Sequence, residues 1–404
     1  MRDLAPDYRF TPAFANPTGS AIRELFKYLA QPGMISFAGG YPAAEFFDQQ
    51  ALQLASEQAL RDTPLDCLQY GATEGLLALR EQLVALMGQR GVGIGVDDLL
   101  VTTGSQQGFD LLIKVLLAPG DTVLVERPTY PAAVQALRLA GMRMLSAATD
   151  EQGLDTVALA AQLADLPPGA IRLLYCVPTF ANPTGACLPL ARRVQLLELA
   201  VRHDFLLVED DPYGALRFGG EAVASLLELS LQVPGAAGRV IHLSSLSKIV
   251  APGLRVGWMI APAAVRQRCL IAKQTSDLCT SPWTQRIAAN YLASGALAAA
   301  LPRLVAGYRA KCEAMLQGLQ GMNEFLQVTP PAGGMFVWGR LVGGVDAQAV
   351  LQRAIEQNVL FVPGAAFYAD AADLSSIRLS FAAPGVAAIA EGLERLRRAF
   401  ELSN

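Results

Sequence analysis

Short apolar runs alternate with amphipathic segments through most of the chain. The runs between residues 98 and 260 are typical of β-strands, and apolar residues between them recur at helical spacing. The predicted strands cover residues 99–102, 122–125, 143–145, 171–177, 205–208, 240–243 and 256–260. Strands that alternate with helices indicate a mainly parallel sheet with helices on both faces. The pattern therefore predicts an α/β fold in which helices sandwich a seven-stranded sheet.

The two ends of the chain have a different pattern. Helical spacing of apolar residues predicts a helix over residues 21–30 with Ser20 as its N-cap, and an apolar run predicts a short strand over 34–38. Later segments mix both types: helices at 262–275, 284–320 (with a break near Gly295), 346–357 and 386–400, and strands at 336–338, 360–362 and 377–381. We therefore expect a large domain over residues 45–285. A small α+β domain over 286–404 would be joined by the N-terminal arm and helix, residues 1–44.

Composition narrows the class of protein. Of 404 residues, 52% are apolar and 17% are charged, which is typical of a globular enzyme and excludes disorder. The net charge of −4 argues against a nucleic-acid partner, and no apolar stretch is long enough to cross a bilayer. Six scattered cysteines without a Cys-x-x-Cys pair argue against zinc and disulfides and favour a reducing cytoplasm. The two histidines, His203 and His242, are interpreted as structural, so no metal site is expected.

The segment from Ser244 to Trp258 carries the most informative chemistry. It places Lys248 and Arg255 among serines between two predicted strands. A lysine amine can form a Schiff base with the aldehyde of pyridoxal 5'-phosphate (PLP), and hydroxyls with a guanidinium can hold its phosphate. The alternative is an ordinary surface lysine at a strand end, so the motif needs support from the rest of the chain.

Further polar residues follow other predicted strands. The turn at 102–108 combines hydroxyls with the start of a helix, where free N–H groups favour a phosphate. Tyr130 follows the next strand and either stacks on a flat ring or is a core tyrosine. Asn182 belongs to the second of two Ala-Asn-Pro-Thr-Gly copies and emerges at the carboxyl end of a strand, where α/β sheets bind ligands. The first copy, at 15–19, follows no strand and is interpreted as a turn.

Charged residues at two strands complete the pattern. Three acidic residues, Glu209 to Asp211, follow a buried strand, where carboxylates are costly unless one of them meets a cation. The protonated ring nitrogen of PLP is such a cation, and a neighbouring carboxylate stabilises it. Arg378 lies inside a predicted strand of the small domain and suits the α-carboxylate of an amino acid.

Together these motifs resemble the fold-type I, PLP-dependent aminotransferases of class I and II. The similarity is greatest to the subgroup of 2-aminoadipate (LysN-like) and kynurenine/aminoadipate aminotransferases, and it extends over nearly the whole chain. The motifs that carry it lie at 20–25, 36–40, 102–107, 182–185, 209–213, 245–248, 333–338 and 377–381. The resemblance implies a reversible transfer of an amino group between an L-amino acid and a 2-oxo acid, with PLP as the cofactor.

The resemblance also implies a role for each cofactor-binding residue. Lys248 would carry PLP and move the substrate proton. Asp210, which stands three residues before Tyr213 as the family pattern requires, would pair with the ring nitrogen. Asn182 and Tyr213 would bind the phenolate oxygen, and Tyr130 would stack on the ring. The phosphate ligands would be Ser105, the Gln106 amide, Ser245, Ser247 and Arg255.

Substrate and partner residues follow from the same resemblance. Arg378 and Asn182 would bind the substrate α-carboxylate, with Gly40 lining the pocket. Arg23 matches the position that recognises a distal carboxylate, which favours acidic substrates such as 2-aminoadipate and glutamate. The alternative for Arg23 is an ordinary exposed charge on a helix. Related enzymes also take aromatic or branched substrates, which do not need a residue that binds a distal carboxylate. Tyr70 would reach the phosphate region of the neighbouring subunit, which makes a homodimer the expected active unit.

Two alternative functions remain open at this level. Other fold-type I reactions, such as β-elimination, decarboxylation or racemisation, use the same residues around PLP. Some bacterial transcription regulators carry an aminotransferase-like domain behind a basic DNA-binding module, whereas the arm here is short and not basic. The segment Thr280–Trp283 departs from the family patterns, so the outer wall of the pocket is left unassigned.

Overall fold

The computed structural model describes residues 8–15 and 19–402. Residues 1–7 of the expected arm and residues 16–18 of the first Ala-Asn-Pro-Thr-Gly copy lie outside the described residues. In chain order the strands are β1 Ile35–Ser36, β2 Leu99–Thr102, β3 Thr122–Arg127, β4 Arg143–Asp150, β5 Gly153–Leu154, β6 Leu173–Cys176, β7 Leu206–Asp210, β8 Val240–Ser245, β9 Gly257–Ile260, β10 Leu326–Thr329, β11 Phe336–Leu341, β12 Val359–Leu360, β13 Val362–Pro363 and β14 Ser376–Ser380. The α-helices are α1 Pro12–Ala15, α2 Ala21–Glu24, α3 Gln49–Asp62, α4 Pro64–Leu68, α5 Leu77–Gln89, α6 Ser105–Leu116, α7 Pro131–Leu139, α8 Thr156–Ala164, α9 Leu190–His203, α10 Leu226–Ser230, α11 Ala263–Ser276, α12 Pro282–Ala293, α13 Ala296–Gln320, α14 Ala347–Glu356 and α15 Val386–Glu401.

The largest sheet of the described chain has eight strands in the order β2-β9-β8-β7-β6-β3-β4-β5. Strands β8, β7, β6, β3 and β4 pair in parallel, whereas β9 is antiparallel to both of its neighbours. All seven strands predicted for this sheet are confirmed. Of its eight strands, only the two-residue hairpin strand β5 was not predicted. Along β3, Val123 and Val125 belong to one core cluster and Leu124 to another. Because side chains alternate along a strand, both faces of the sheet are covered, as the apolar runs predicted.

A second, four-stranded sheet in the described residues has the antiparallel order β10-β11-β14-β13. Near it, β1 pairs in parallel with β12, so the N-terminal segment joins the C-terminal part of the chain. The predicted strand over 360–362 is split between β12 and β13. These elements form the smaller α+β unit expected from the sequence, and helix α15 packs against α13 beside them.

The predicted helix over residues 21–30 is only partly correct. One α-helical turn, α2, is followed by a 3-10 helix over Leu25–Ala30. Leu25 is buried but Leu29 is exposed, so the apolar stripe is not covered along its whole length. Pro32 follows closely and cannot continue a helix. Ser20 occupies the N-cap position, but its side chain makes no capping hydrogen bond.

Strand direction decides where polar residues gather. Strand β2 runs in the same direction as β8, since β9 is antiparallel to both. The carboxyl ends of β2, β3, β6, β7 and β8 therefore meet at one edge of the sheet, where doubly wound α/β folds bind ligands.

The helix break predicted near Gly295 is also present. Gly295 lies between α12 and α13 and has a φ of +78°.

Candidate active site

A cavity of about 950 Å³ lies at this edge of the sheet. It brings together the predicted site residues from segments far apart in the chain, with the exception of Tyr70. Those that line it are Arg23, Gly40, Ser105, Gln106, Tyr130, Asn182, Asp210, Tyr213, Ser245, Ser247, Lys248, Arg255 and Arg378.

Of the three consecutive acids at the end of β7, Asp210 lines the cavity. Glu209 points away, accepts hydrogen bonds from the amides of Leu226 and Leu227 at the start of α10, and pairs with His242. Asp211 is paired with Arg90 and accepts the Gly214 amide. Glu209 and Asp211 thus have hydrogen-bond or ion-pair partners within the protein, which leaves Asp210 for a ligand.

The two carboxylate oxygens of Asp210 have different surroundings. The hydroxyl of Tyr175 donates to Oδ2 at 2.7 Å. Oδ1 is buried and has no hydrogen-bond partner among the described residues. Burial raises the pKa of Asp210 to about 6, and the Tyr175 hydrogen bond opposes that rise. An unpartnered, buried carboxylate oxygen in a cavity is suited to a cationic N–H group.

Tyr175 is a site residue that the sequence interpretation missed. It lies on β6 inside the apolar run 171–177, where a tyrosine is an ordinary core residue. Its ring packs against Phe109 with 4.7 Å between centroids. Burial, together with the charge of Asp210, holds the pKa of the Tyr175 hydroxyl well above its usual value, so it acts as a donor. The sequence carries no signal for the contact because β6 and β7 are neighbours only in the sheet.

Lys248 extends into the cavity from the 3-10 helix that follows β8. Its Nζ donates to the carbonyl oxygen of Gly40 at 2.9 Å. Burial lowers the pKa of the amine to about 8, and the positive charges of Arg378 and Arg255 contribute to the lowering. A neutral amine is therefore accessible near physiological pH, and a neutral amine is what nucleophilic attack on an aldehyde requires.

Arg378 on β14 also lines the cavity and is buried, with 2% of its surface exposed. Nη1 donates to Oδ1 of Asn182 at 2.7 Å, and Nη2 donates to the carbonyl of Ala38 at 2.6 Å. The guanidinium lies over the rings of Phe336 and Phe367, at 4.3 and 4.8 Å from their centroids. Burial lowers its pKa to about 10. Such a desolvated guanidinium, already oriented, is suited to a carboxylate ligand.

The turn between β2 and α6 forms a cradle with the segment around Arg255. Gly104 has a φ of +84°, and a Cβ there would lie 2.6 Å from Nη2 of Arg255. A Cβ on Gly257 would lie 2.6 Å from the carbonyl carbon of Gly104. The positive φ therefore favours glycine at 104, and close backbone approach requires glycine at 257. Helix α6 starts at Ser105, so its first amides have no intrahelical acceptor and are available to an anion.

Two serines and two tyrosines complete the wall. The hydroxyls of Ser245 and Ser247 are 2.7 Å apart beside the cradle. Tyr130 immediately precedes α7, and Tyr213 packs edge-on against Phe336 with 5.8 Å between centroids. Burial raises the pKa of both tyrosine hydroxyls, so both remain protonated.

Arg23 and Tyr70 differ from the rest. Arg23 is exposed, and it lines the mouth of the cavity beside Ile22 and Phe26. Tyr70 lies outside the cavity, with 78% of its surface exposed. Leu65 and Leu68, on the preceding helix α4, are similarly exposed.

The region left unassigned in the sequence packs beside the cradle. Thr280 is buried and its hydroxyl lies 3.1 Å from that of Thr103, whereas Trp283 on α12 is partly exposed. Among residues 8–15 and 19–402 there is no cluster of potential metal ligands. Over the same residues, none of the helices combines the length and apolar character that crossing a membrane requires.

Comparison with known proteins agrees with this geometry. The family model for aminotransferase class I and II matches residues 43–396. The chain is 39% identical to a 2-aminoadipate transaminase of Thermus thermophilus, covering 99% of this chain and 98% of the relative. It is 38% identical to aromatic-amino-acid aminotransferase 1 of Thermococcus litoralis, covering 93% and 90%.

A solved structure is similar over the same length. LysN, the α-aminoadipate aminotransferase of Thermus thermophilus complexed with N-(5'-phosphopyridoxyl)-L-leucine, superposes with a TM-score of 0.89. The two chains are 38% identical, and the match covers 97% of each. The orphaned Asp210 oxygen, the cradle and the buried lysine fit the ring and phosphate of the same cofactor. The chain therefore belongs to the class I and II aminotransferases and is a PLP-dependent transaminase.

Proposed function

We propose that this transaminase exchanges amino groups between acidic or bulky apolar L-amino acids and 2-oxo acids, with 2-aminoadipate and glutamate as its acidic substrates. The observation that carries the proposal is the shared cavity of Arg378 and Lys248, one a buried carboxylate-binding group and the other an amine with a lowered pKa. An α-amino acid presents a carboxylate and an amine on the same carbon, so it can meet both groups at once.

The proposed cofactor contacts follow the geometry of the cavity. Asp210 Oδ1 would accept from the ring nitrogen, Asn182 and Tyr213 would hold the phenolate oxygen, and Tyr130 would stack on the ring. The phosphate would be held by Ser105, the Gln106 amide, Ser245, Ser247 and Arg255. When bound, PLP supplies an aldehyde for the substrate amine and a ring that withdraws electrons from Cα.

The chain's own residues would then position the substrate and move a proton. Arg378 and Asn182 hold the α-carboxylate, which fixes Cα beside Lys248. The neutral Nζ of Lys248 takes the Cα proton and so acts as a base. The protonated amine then donates a proton to the bound substrate and cofactor, and so acts as an acid. Phe336 and Tyr213 pack edge-on and give that part of the cavity an aromatic wall. Replacement of Lys248 by alanine should therefore abolish turnover.

Arg23 would set the preference for acidic side chains. It lines the same cavity as Arg378. The neighbouring Ile22 and Phe26 offer apolar contacts to substrates without a distal charge. The similarity to enzymes named for 2-aminoadipate and for aromatic amino acids, and to LysN with a leucine adduct, supports both classes.

A substrate panel tests this assignment. Catalytic efficiency would be measured for 2-aminoadipate, glutamate, leucine and phenylalanine with wild type and Arg23→Ala. We expect the variant to lose about tenfold or more on the two acidic substrates, since a charged hydrogen bond is removed, and less than about threefold on the others. Lys27→Ala is a matched control, because Lys27 is an exposed cation on the same segment that does not line the cavity. Equal losses on all four substrates would contradict a role in specificity.

We further propose that the active unit is a homodimer in which Tyr70 reaches the partner's phosphate site. The exposure of Tyr70 together with Leu65 and Leu68 supports this, because contiguous apolar exposure is typical of an interface.

We also propose a cytoplasmic location, which the scattered cysteines support. We further propose that the chain is divided into an N-terminal arm and helix over residues 1–44, a large domain over 45–285 and a small domain over 286–404.

A further inference from the structure

A polar network outside the cavity holds the turn between β2 and α6. Its centre is Lys273 on α11, a lysine with 0% of its surface exposed. Its Nζ donates to both oxygens of Asp277, at 2.7 and 2.8 Å. Burying a charged lysine is costly unless a carboxylate compensates it, and the partly exposed Asp277 supplies that carboxylate.

The pair contacts the cradle through two residues of the turn. Asp277 Oδ2 accepts from Nε2 of Gln107 at 2.7 Å and from the hydroxyl of Thr103 at 3.1 Å. Oε1 of Gln107 accepts from the Thr103 amide at 2.7 Å and from Lys273 at 3.3 Å. The Gln107 side chain is thereby held at both ends, so its rotation is restricted.

Thr103 is consequently fixed through every polar group that it carries. Its amide donates to Gln107, its hydroxyl contacts Asp277 and Thr280, and its carbonyl accepts from Nη2 of Arg255 at 3.1 Å. The next residues along the chain, Gly104, Ser105 and Gln106, line the cavity, and the amides of Ser105 and Gln106 precede the first intrahelical hydrogen bond of α6. The network therefore holds the turn through Thr103 and also contacts Arg255, whereas Lys273, Asp277 and Gln107 do not line the cavity themselves.

We propose that the Lys273–Asp277 pair is a positioning device for the phosphate cradle, acting through Gln107 and Thr103 on the affinity for the phosphate group of PLP. This inference rests on the proposed placement of the phosphate at this turn. A cradle fixed before binding loses less conformational entropy when the anion arrives, so its affinity is higher than that of a mobile turn. The lysine also balances the carboxylate, which would otherwise repel a nearby phosphate.

Comparing PLP with pyridoxal, which lacks the phosphate, isolates this contribution. Protein freed of cofactor would be titrated with each compound by absorbance. The quantity compared between variants is the dissociation constant for pyridoxal divided by that for PLP, so a high ratio means a strong preference for PLP. The double variant Lys273→Met/Asp277→Leu removes the pair without leaving one charge buried alone. We expect PLP affinity to fall about tenfold while pyridoxal affinity changes less than about twofold, because only the phosphate contacts the turn.

A second variant guards against misfolding of the first. Gln107→Ala removes the link while keeping the Lys273–Asp277 pair, and it should lower the preference for PLP over pyridoxal in the same direction. Lys311→Met/Glu45→Gln is the matched control, since Lys311 is another buried lysine paired with a carboxylate, at 2.5 Å, but it lies outside the cradle. Thermal unfolding of each variant reports loss of stability separately from cofactor affinity.

The outcomes distinguish failure of the positioning role from failure of the proposed phosphate placement. If Gln107→Ala and the double variant both keep the wild-type ratio, or if the control lowers it equally, the positioning role is wrong. Arg255→Met should lower the ratio more than either variant, because it removes a direct phosphate ligand. If Arg255→Met also leaves the ratio unchanged, the placement of the phosphate itself is wrong.

Discussion

Nη1 of Arg378 lies 2.7 Å from Oδ1 of Asn182, and the two residues are 196 positions apart in the chain. Arg378 belongs to the antiparallel sheet, whereas Asn182 belongs to the loop after β6 of the central sheet. The contact orients the guanidinium from one sheet with an amide from the other. The proposed carboxylate site therefore depends on correct packing of the two sheets against each other.

Replacing Arg378 by lysine keeps the charge but removes the planar fork that a carboxylate accepts from. We expect catalytic efficiency to fall about a hundredfold, mainly through a higher KM, because bidentate binding and packing between Phe336 and Phe367 are both lost. The loss should be similar for 2-aminoadipate and leucine, since they share the α-carboxylate. A loss confined to acidic substrates would instead assign Arg378 to side-chain recognition.

The lowered pKa of Lys248 predicts how cofactor uptake depends on pH. An ordinary lysine has a pKa of 10.5, whereas burial brings the pKa of Lys248 to about 8. The neutral amine therefore predominates above about pH 8, and the rate of reaction with added PLP should rise up to that pH and then level off. The measurement is the absorbance change after mixing cofactor-free protein with PLP. A rate that continues to rise toward pH 10.5 would show that the amine is not desolvated.

Tyr175→Phe tests the hydrogen bond to Asp210 while keeping the ring against Phe109. In the wild type this hydrogen bond opposes the burial that raises the pKa of Asp210 to about 6. Removing it should raise that pKa further, so the carboxylate becomes protonated at a higher pH as the solution is acidified. The acidic limb of the pH profile of kcat/KM should move to higher pH.

A control for this prediction is available on helix α12. Tyr291 is also a buried tyrosine, but it does not line the cavity. Tyr291→Phe should leave the acidic limb where it is in the wild type. An unmoved limb in Tyr175→Phe, with normal folding, would mean that Tyr175 does not influence the ionisation of Asp210.

Subunit mixing tests whether Tyr70 acts across an interface. Tyr70→Ala and Lys248→Ala would each be nearly inactive, but a hybrid dimer would contain one site with both native residues. After unfolding and refolding an equal mixture, we expect about a quarter of wild-type activity, since about half of random dimers are hybrids with one intact site of two. Mixing Lys248→Ala with Arg378→Lys should give no recovery, because those residues line the same cavity of one chain. No recovery with Tyr70→Ala would place Tyr70 outside the partner's site.

Much of the fold could be predicted because its signals are local. Six of the seven predicted strands have short apolar runs that are buried on both faces, and such burial leaves a continuous apolar pattern in the sequence; β4 is more exposed. The helix over 21–30 was predicted only partly correctly, because spacing alone does not report that Leu25 is buried while Leu29 is exposed. Helical spacing predicts a helix when a packing surface exists along its full length, and here it does not.

The sequence by itself determined which chemical groups lie at the ends of the strands, including the lysine at 248, the arginine at 255 and three consecutive acids from 209 to 211. The resemblance to aminotransferases selected Asp210 among these acids. Only the tertiary structure decided how Glu209 and Asp211 are paired elsewhere and that Tyr175 lies behind Asp210. The physical reason is that local periodicity specifies the side of an element on which a residue lies. The partner that a side chain meets there depends on strands and helices from elsewhere in the chain.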